Sequence, residues 1–415
     1  LAIALPRPFG APIIASLLLR VVHITESITA SAGGTSTAFV ELIEALRTQS
    51  ASGLELRAIS QTLPPDDAAR KWIAGHEPNL WHFTGPRGRH LAGTLASDAR
   101  RLIDEFKPHI LHLHGLWCQD LVSVARHALG RGIATCYHPH GMLVHAALRR
   151  SVLKKAIFRR MGLAGVLAKA DAVVFATDGE RVTSDLSMFS HDVQTSVIPL
   201  AVNVEIPENA RPALAEAGRA RLGLAADEPA LVFMGRLHPV KRVELTIDAF
   251  AKARQSVPGL KLILVGDGDA SYVESLRVRA AALGVGLLDA ITFAGWLSGD
   301  AKWQALAAAD ALIINSEFEN FCYALVEALI VQTPVIMTDN LAMAPAAQNA
   351  GAGFMATSDP DALAAAITRL LAISTDRASM GARGRAWVEA SFSRPAVGAA
   401  LVRLYQSISK EPVAP

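Results

Sequence analysis

The residues of this chain with the clearest capacity for chemistry lie in one stretch, Ser316-Glu317-Phe318-Glu319-Asn320-Phe321-Cys322-Tyr323-Ala324-Leu325-Val326-Glu327-Ala328-Leu329. The apolar run Ala311–Asn315 predicts a strand that feeds a polar loop, and the loop feeds a helix starting near Phe321. The N-terminus of such a helix offers unpaired backbone N–H groups and a partial positive charge, which suits a diphosphate. Glu327 falls inside the helix, where a carboxylate reaches a ribose diol and accepts both hydroxyl hydrogens. Glu319 stays in the loop, within reach of a sugar carried on that diphosphate. The plain alternative is a pair of acids near a helix start, stabilised by the macrodipole, and spacing alone does not choose between the two.

Other segments offer related groups. Met234-Gly235-Arg236-Leu237-His238-Pro239-Val240-Lys241 follows a predicted strand, so that Arg236 offers a bidentate fork and Lys241 a point charge; solvated loop charges are the alternative. Ser31-Ala32-Gly33-Gly34-Thr35-Ser36 joins the first strand to the first helix, and paired glycines permit close backbone approach to a phosphate or sugar, or simply make a tight turn. In Val265-Gly266-Asp267-Gly268-Asp269 the Gly-x-Gly after a predicted strand lacks a third glycine at dinucleotide spacing and is a weak fingerprint. His138-Pro139-His140-Gly141-Met142-Leu143 follows a strand end, while His112 and His114 read as strand-end or acceptor-side residues.

The elements that must position these groups alternate between short apolar runs and longer helical patterns, which predicts parallel sheets covered by helices. Strands are expected at Arg20–Thr25, Leu54–Ser60, His109–His114, Ala134–His138 and Ala172–Ala176, with helices at Thr37–Thr48, Gly93–Phe106 and Val122–Leu129. A second series has strands at Ala230–Met234, Lys261–Val265, Ile291–Ala294, Ala311–Asn315 and Pro334–Thr338. Its helices fall at Val243–Ser256, Ala270–Leu283, Ala301–Ala308, Tyr323–Leu329 and Pro360–Ile373. Pro199, Pro207 and Pro212 break the two series, and Ala213–Leu224 reads as a polar, Ala-rich segment. Two open sheets in succession leave a cleft at the carboxyl ends of their strands, where ligands bind. The last helix, Pro395–Ile408, is placed to cross back to the first half.

With 415 residues, 51% of them apolar and 19% charged, the chain is globular and long enough for two cores. A net charge of +2 argues neither for nor against a polyanionic partner, and no nucleic-acid partner is expected. Three cysteines without metal-ligand spacing fit a reducing, cytoplasmic compartment. The apolar run Ala11–Leu19 is stopped by Arg20, short of a membrane span; it reads as a buried leader to the first strand, with a signal-peptide core as the alternative. Leu148–Ala170 carries Arg149, Arg150, Lys154, Lys155, Arg159, Arg160 and Lys169 without an acid. It reads either as a solvated helix or as a peripheral contact with anionic lipid on the inner face of the cytoplasmic membrane.

Glu319 and Glu327, spaced E-x7-E within S-x-x-E-N-F-x-x-x-L-V-E-A-L-x-x-x-T-P-V-I, resemble glycosyltransferase family 4, retaining enzymes of the GT-B fold. Gly235-Arg236-Leu237-x-x-x-Lys241 resembles that family's G-R-L-x-x-x-K element, and His140-Gly141-Met142-Leu143 its H-G-M-L element, common where bacterial surface polysaccharides are built. The resemblance extends over nearly the whole chain and is most specific in the second half. It implies an α/β GT-B architecture. By that resemblance residues 1–200 are expected to form an acceptor-side Rossmann-like domain, 201–392 a nucleotide-sugar-binding one, and 393–415 the last helix and tail.

By the same resemblance Arg236 and Lys241 hold the donor diphosphate, whose negative charge grows as the glycosidic bond breaks; cations fixed there stabilise the transition state without a metal. Glu319 contacts the transferred sugar, Glu327 holds the ribose and His140 faces the reacting sugar. Gly33, Gly34, Gly235, Gly266, Asn320, Phe321, Cys322 and Tyr323 complete the donor pocket. The implied partners are a UDP- or GDP-sugar and a glycan or lipid-linked acceptor; no cofactor is implied. The Asp267-x-Asp269 pair, which mimics the metal-binding acids of a different glycosyltransferase fold, is set aside. This sequence departs from the family in having Arg242, Cys322 and Gln332 where glycine is usual. Cys322 in particular places a side chain where the backbone commonly approaches the donor. A sugar-nucleotide epimerase of similar plan and a catalytically lapsed nucleotide-sugar binder remain as alternatives; a dehydrogenase is disfavoured, because no complete G-x-G-x-x-G follows the first strand.

Overall fold

A computed structural model describes residues 18–29, 34–49, 53–61, 63–64, 67, 70–73, 79–84 and 94–410. Gly33 and most of the apolar run ending at Leu19 lie outside them. In the first half the strands are β1 (Leu19–Thr25), β2 (Leu54–Gln61), β3 (Trp81–Thr84), β4 (Ile110–His114), β5 (Ala134–His138), β6 (Ala172–Phe175) and β7 (Gln194–Val197). They form one parallel sheet in the order β3-β2-β1-β4-β5-β6-β7. The second half supplies β8 (Ala230–Met234), β9 (Lys261–Val265), β10 (Ile291–Gly295), β11 (Ala311–Ile314), β12 (Val335–Thr338) and β13 (Gly353–Ala356). These are also parallel, in the order β10-β9-β8-β11-β12-β13. The order reverses between β1 and β4 in one sheet and between β8 and β11 in the other, and each reversal opens a crevice at the strands' carboxyl ends.

Central strands such as β4, β5 and β11 are buried at every residue, which is why they read as continuous apolar runs or as runs with buried histidines. The unforeseen strands β3, β7 and β13 are all sheet edges. β7, Gln194-Thr195-Ser196-Val197, has no fully buried residue and so carried no apolar signal. The polar, Ala-rich segment Ala213–Leu224, to which no element was assigned, belongs largely to a helix, Arg211–Leu222. Pro212 sits in its first turn and Gly223 ends it in the left-handed conformation. Its Gly218 lies so close to helix Asp300–Ala308 that a Cβ would meet the Gln304 carbonyl at 2.1 Å. Helix Ser374–Phe392 was likewise not foreseen. Leu148–Ala170 is not one helix; it is broken by Ser151 (φ 53°) and by Gly162 (φ 119°).

The last helix, Arg394–Ile408, does cross back. Val202 bridges Ser393 where the two inter-lobe connections run side by side. Arg394 then donates two hydrogen bonds to Glu41 on the first helix, Gly34–Arg47, at 2.8 and 3.0 Å. Gly398 packs so tightly that a Cβ there would sit 2.2 Å from the Ala45 carbonyl oxygen. Val397, Leu401 and Tyr405 are buried within the first lobe's apolar core. No helix among the described residues is long and apolar enough to cross a membrane.

Candidate active site

The chain leaving β8 supplies the first part of the site. Gly266 has φ 139°, and a Cβ there would lie 1.9 Å from the Gly235 carbonyl oxygen, so only glycine lets the β9 turn lie against the β8 loop. Leu237 N–H then donates to the Asp267 carbonyl at 2.8 Å, and a single turn, Pro239–Lys241, follows with His238 Nδ1 accepting from Val240 N–H. That turn is tied to the β11 loop, because Glu317 N–H donates to Val240 C=O at 2.8 Å. Asn340 closes the loop from the other side by donating to the carbonyls of Ser316 and Glu317, each at 2.9 Å.

With both loops fixed, Lys241 Nζ donates to Glu319 Oε1, and Ser316 Oγ donates to the same oxygen at 2.9 Å. Glu327, one helical stretch on, accepts from Lys302 Nζ at 2.7 Å. Lys241, Glu319 and Glu327 all act electrostatically on Cys322, whose thiol is pushed up to about 12, first by burial. The three charges therefore share one neighbourhood. Arg236, adjacent to Gly235, is exposed and has no side-chain partner among the described residues. Cys322 is buried at the start of helix Tyr323–Ile330, and its N–H faces Met343 Sδ at 3.4 Å. Phe321 and Tyr323 pack edge to face, with the Tyr323 hydroxyl buried and unpartnered among the described residues.

The first lobe meets this site through the turn after β5. His140 adopts φ 49°, unusual for a residue with a side chain, and Gly141 follows at φ 79°. Gly141 approaches Asn320 so closely that a Cβ on it would lie 3.5 Å from the asparagine side chain. Glu180, almost wholly buried, locks the junction. Its carboxylate accepts from Gly141 N–H at 2.5 Å, from Ala176 N–H at 2.8 Å and from the Asn320 side chain. Burial raises its pKa, and the three donors act in the opposite sense. His140 thus stands one residue from a contact with Asn320, itself next to Glu319. Gly34 opens the first helix and is exposed.

Beneath His140 lies a group of histidines. Period two puts His112 and His114 on one face of β4, and the register lays His23 of β1 beside His112 and His138 of β5 beside His114. Together with His140 they line up over the first sheet, next to a cavity of about 230 Å³ that His114, His140, Glu26 and Trp117 help to wall. The ligand atoms of His23, His112 and His114, and of His114, His138 and His140, lie within 4.8 Å of one another. Two pairs of rings stack, His138 on His140 at 4.0 Å and 7° and His112 on His114 at 4.5 Å and 23°. Others meet edge to edge through their nitrogens, His23 with His114 at 2.9 Å and His114 with His140 at 3.0 Å.

Residues 33–201 match the family described as Glycosyl transferase 4-like domain, and residues 215–387 match Glycosyl transferases group 1. The chain belongs to the group 1 glycosyltransferases. Among relatives of this glycosyltransferase, the D-inositol 3-phosphate glycosyltransferase of Acidothermus cellulolyticus is 30% identical over 269 residues, 63% of this chain and 59% of that protein. The shared stretch is thus less than two thirds of that relative's length. The enzyme of the same name from Geodermatophilus obscurus is 25% identical over 98% of this chain and 92% of its own. The fold is also that of Anabaena Alr3699/HepE in complex with UDP, with TM-score 0.75 and 18% identity over 94% of this chain and all of that one. Sucrose-phosphate synthase from Thermosynechococcus elongatus superposes with TM-score 0.70 and 22% identity over 94% and 99%.

Four residues of this glycosyltransferase's site escaped sequence reasoning. Lys302 pairs with Glu327 from a separate helix, and only packing brings them together. Glu180 follows β6 in a short helix, and nothing in its spacing announces a buried carboxylate. His23 sits in an apolar strand, where the pairing register is the only signal. Tyr405 comes from the chain's far end.

Proposed function

We propose that this glycosyltransferase moves a sugar from a UDP- or GDP-sugar to a hydroxyl of a glycan or lipid-linked acceptor, with retention and without a metal. The observation that carries the proposal is the meeting of the His140-Gly141 turn with Asn320, beside the Lys241–Glu319 pair. Arg236 and Lys241 would hold the diphosphate, Glu327 the ribose, and Glu319 with His140 the sugar. Gly34, Gly235, Gly266, Asn320, Phe321, Cys322 and Tyr323 shape the donor side, and Gly33 is assigned with them by resemblance. No carboxylate stands in a nucleophile's place by this reading, so the departing phosphate would take the acceptor's proton as the acceptor attacks from the same face. The domain division at residue 200 follows the same reading: donor on the second lobe, acceptor entering at the cavity beside His114 and His140. The H-G-M-L element favours exopolysaccharide or lipid-linked glycan assembly.

The test is incubation with UDP-, GDP- and ADP-sugars, with and without acceptors that include an inositol phosphate and a lipid-linked sugar. Slow donor hydrolysis accelerated by an acceptor, with the anomeric configuration kept in the product, is the expected result. Epimer formation without an acceptor, or binding with no turnover, would overturn the assignment.

A peripheral membrane contact is proposed for the basic segment Arg149–Arg160. Helix Val152–Phe158 has no buried residue, and Val152, Leu153, Ile157 and Met161 are 52–74% exposed beside Arg149, Arg150, Lys154, Arg159 and Arg160. Apolar side chains among cations suit an anionic bilayer surface, each basic residue adding about 1 kcal/mol. Sedimentation with phosphatidylglycerol vesicles should exceed that with phosphatidylcholine and be lost in Leu153→Asp/Ile157→Asp; equal binding to both lipids refutes the contact.

A further inference from the structure

The histidines beneath the site form an unbroken hydrogen-bonded chain that begins on the last helix. His112 Nδ1 and Tyr405 Oη are 2.6 Å apart, Tyr405 Oη and His23 Nε2 3.0 Å, His23 Nδ1 and His114 Nε2 2.9 Å, and His114 Nδ1 and His140 Nε2 3.0 Å. Burial holds the imidazoles neutral, His23 down to about 3 and His140 to about 4, and keeps the Tyr405 phenol protonated.

A neutral imidazole carries one N–H and one lone pair, so a ring bonded through both nitrogens must donate at one and accept at the other. The phenol between two rings could accept from both only by leaving its own buried hydrogen without an acceptor, so in the fully bonded chain it too donates once and accepts once. A reversed link would set two hydrogens or two lone pairs against each other at about 3 Å. The chain therefore has only two states, every bond pointing toward the cleft or every bond pointing away.

The inner end decides between them. His112 Nε2 is buried and has no partner among the described residues. With the bonds pointing outward it is a bare lone pair; with them pointing inward it is an orphaned N–H, the rarer and less tolerated condition. The outward state makes His140 Nε2 an acceptor and leaves its proton on Nδ1, the nitrogen not engaged in the chain. His138, stacked flat on His140, keeps that ring from tilting.

We propose that Tyr405, His23 and His114 are positioning residues that fix His140 in the Nδ1–H tautomer, so that it presents a donor, not an acceptor, to the oxygen of a bound sugar. This rests on the reading that His140 faces the sugar. The chain ends blind at His112, so it orients a proton and does not deliver one. It also makes the docking of the last helix a condition for a correctly protonated histidine in the cleft.

The test reads the tautomer directly. In protein labelled with 15N-histidine, the His140 signals are assigned by their loss in His140→Gln, and the 15N shifts report which nitrogen carries the proton. The expected result in the wild-type chain is protonated Nδ1 and bare Nε2; a proton on Nε2 overturns the proposal. That measurement needs no substrate, so it stands apart from the outcome of any transfer assay.

Two near-isosteric substitutions then address the cause. His112→Asn can still donate to Tyr405 and should leave the tautomer as it is. His112→Asp, measured above neutral pH, can only accept; it should reverse the chain, move the proton to Nε2 and lower turnover about tenfold with donor KM unchanged. If the aspartate variant folds and keeps both the Nδ1–H tautomer and the turnover, the chain does not set the tautomer and the proposal fails. Should that variant not fold, the wild-type tautomer still decides.

Discussion

Lys241→Ala is expected to lower kcat with a nucleotide-sugar donor by about 10²- to 10³-fold while changing donor KM far less. The argument is one of differential binding. In the ground state the donor's diphosphate is already anionic and Arg236, exposed and unpaired among the described residues, is free to hold it. As the glycosidic bond breaks, additional charge appears on the leaving oxygen, and a cation fixed nearby acts mainly on that increment. Lys241 is fixed: its single turn is tied to the β11 loop through Val240 and Glu317, and its ammonium is bound to Glu319. Loss of one such preorganised group removes about 3–4 kcal/mol of transition-state stabilisation, which gives the stated range. The substitution also leaves Glu319 without its counter-charge, so Lys241→Arg should recover part of the rate. Steady-state kinetics decide the matter, and unchanged kcat in Lys241→Ala would remove Lys241 from the machinery.

The second large effect concerns acid. His23, His112, His114, His138 and His140 all have pKa values lowered by burial, His23 to about 3 and His140 to about 4. The unfolded chain takes up a proton at each near pH 6.5 and the folded chain does not, so the unfolded state binds more protons below that value. Stability is then fully present above about pH 6.5 and falls as the pH drops from there toward the folded-state values. Each ring contributes about 1 kcal/mol between pH 7 and pH 5.5, or about 5 kcal/mol for the five. That is a large fraction of the stability of an ordinary domain. Urea unfolding monitored at the two pH values should show the midpoint moving sharply down. A flat profile would mean that the rings are already charged or hydrated in the native state.

Much of the architecture was legible because the chemistry of a buried parallel strand is simple. Runs such as Ala230–Met234 and Lys261–Val265 match the observed strands residue for residue. Of the four edge strands only β10 was legible, at Ile291–Ala294; β3, β7 and β13 were not, since their half-exposed residues carry no continuous apolar run. At the site, the loop-to-helix text around Glu319 and Glu327 and the cations after β8 could be picked out from type and spacing. What each carboxylate touches could not, because Lys302 meets Glu327 only through tertiary packing.

The departures from the family's glycines divide in an instructive way. Arg242 and Gln332 both adopt left-handed backbone, φ 50° and 57°, which is the conformation that makes glycine usual there. Cys322 does not, at φ −94°, and it lies buried among apolar side chains next to Met343. The first two positions carry the strain of a side chain on left-handed backbone; at the third the backbone is one that any residue adopts.

The crossing of the final helix has a bearing on how the protein is made. Tyr405, Leu401 and Val397 help to fill the interior of the first lobe, so that lobe cannot close its interior before helix Arg394–Ile408 has been made. Vectorial synthesis, which usually lets an N-terminal domain fold first, here yields an unfinished one until helix Arg394–Ile408 has emerged. The lobe translated second can complete itself earlier, and it then returns the segment that its predecessor was missing.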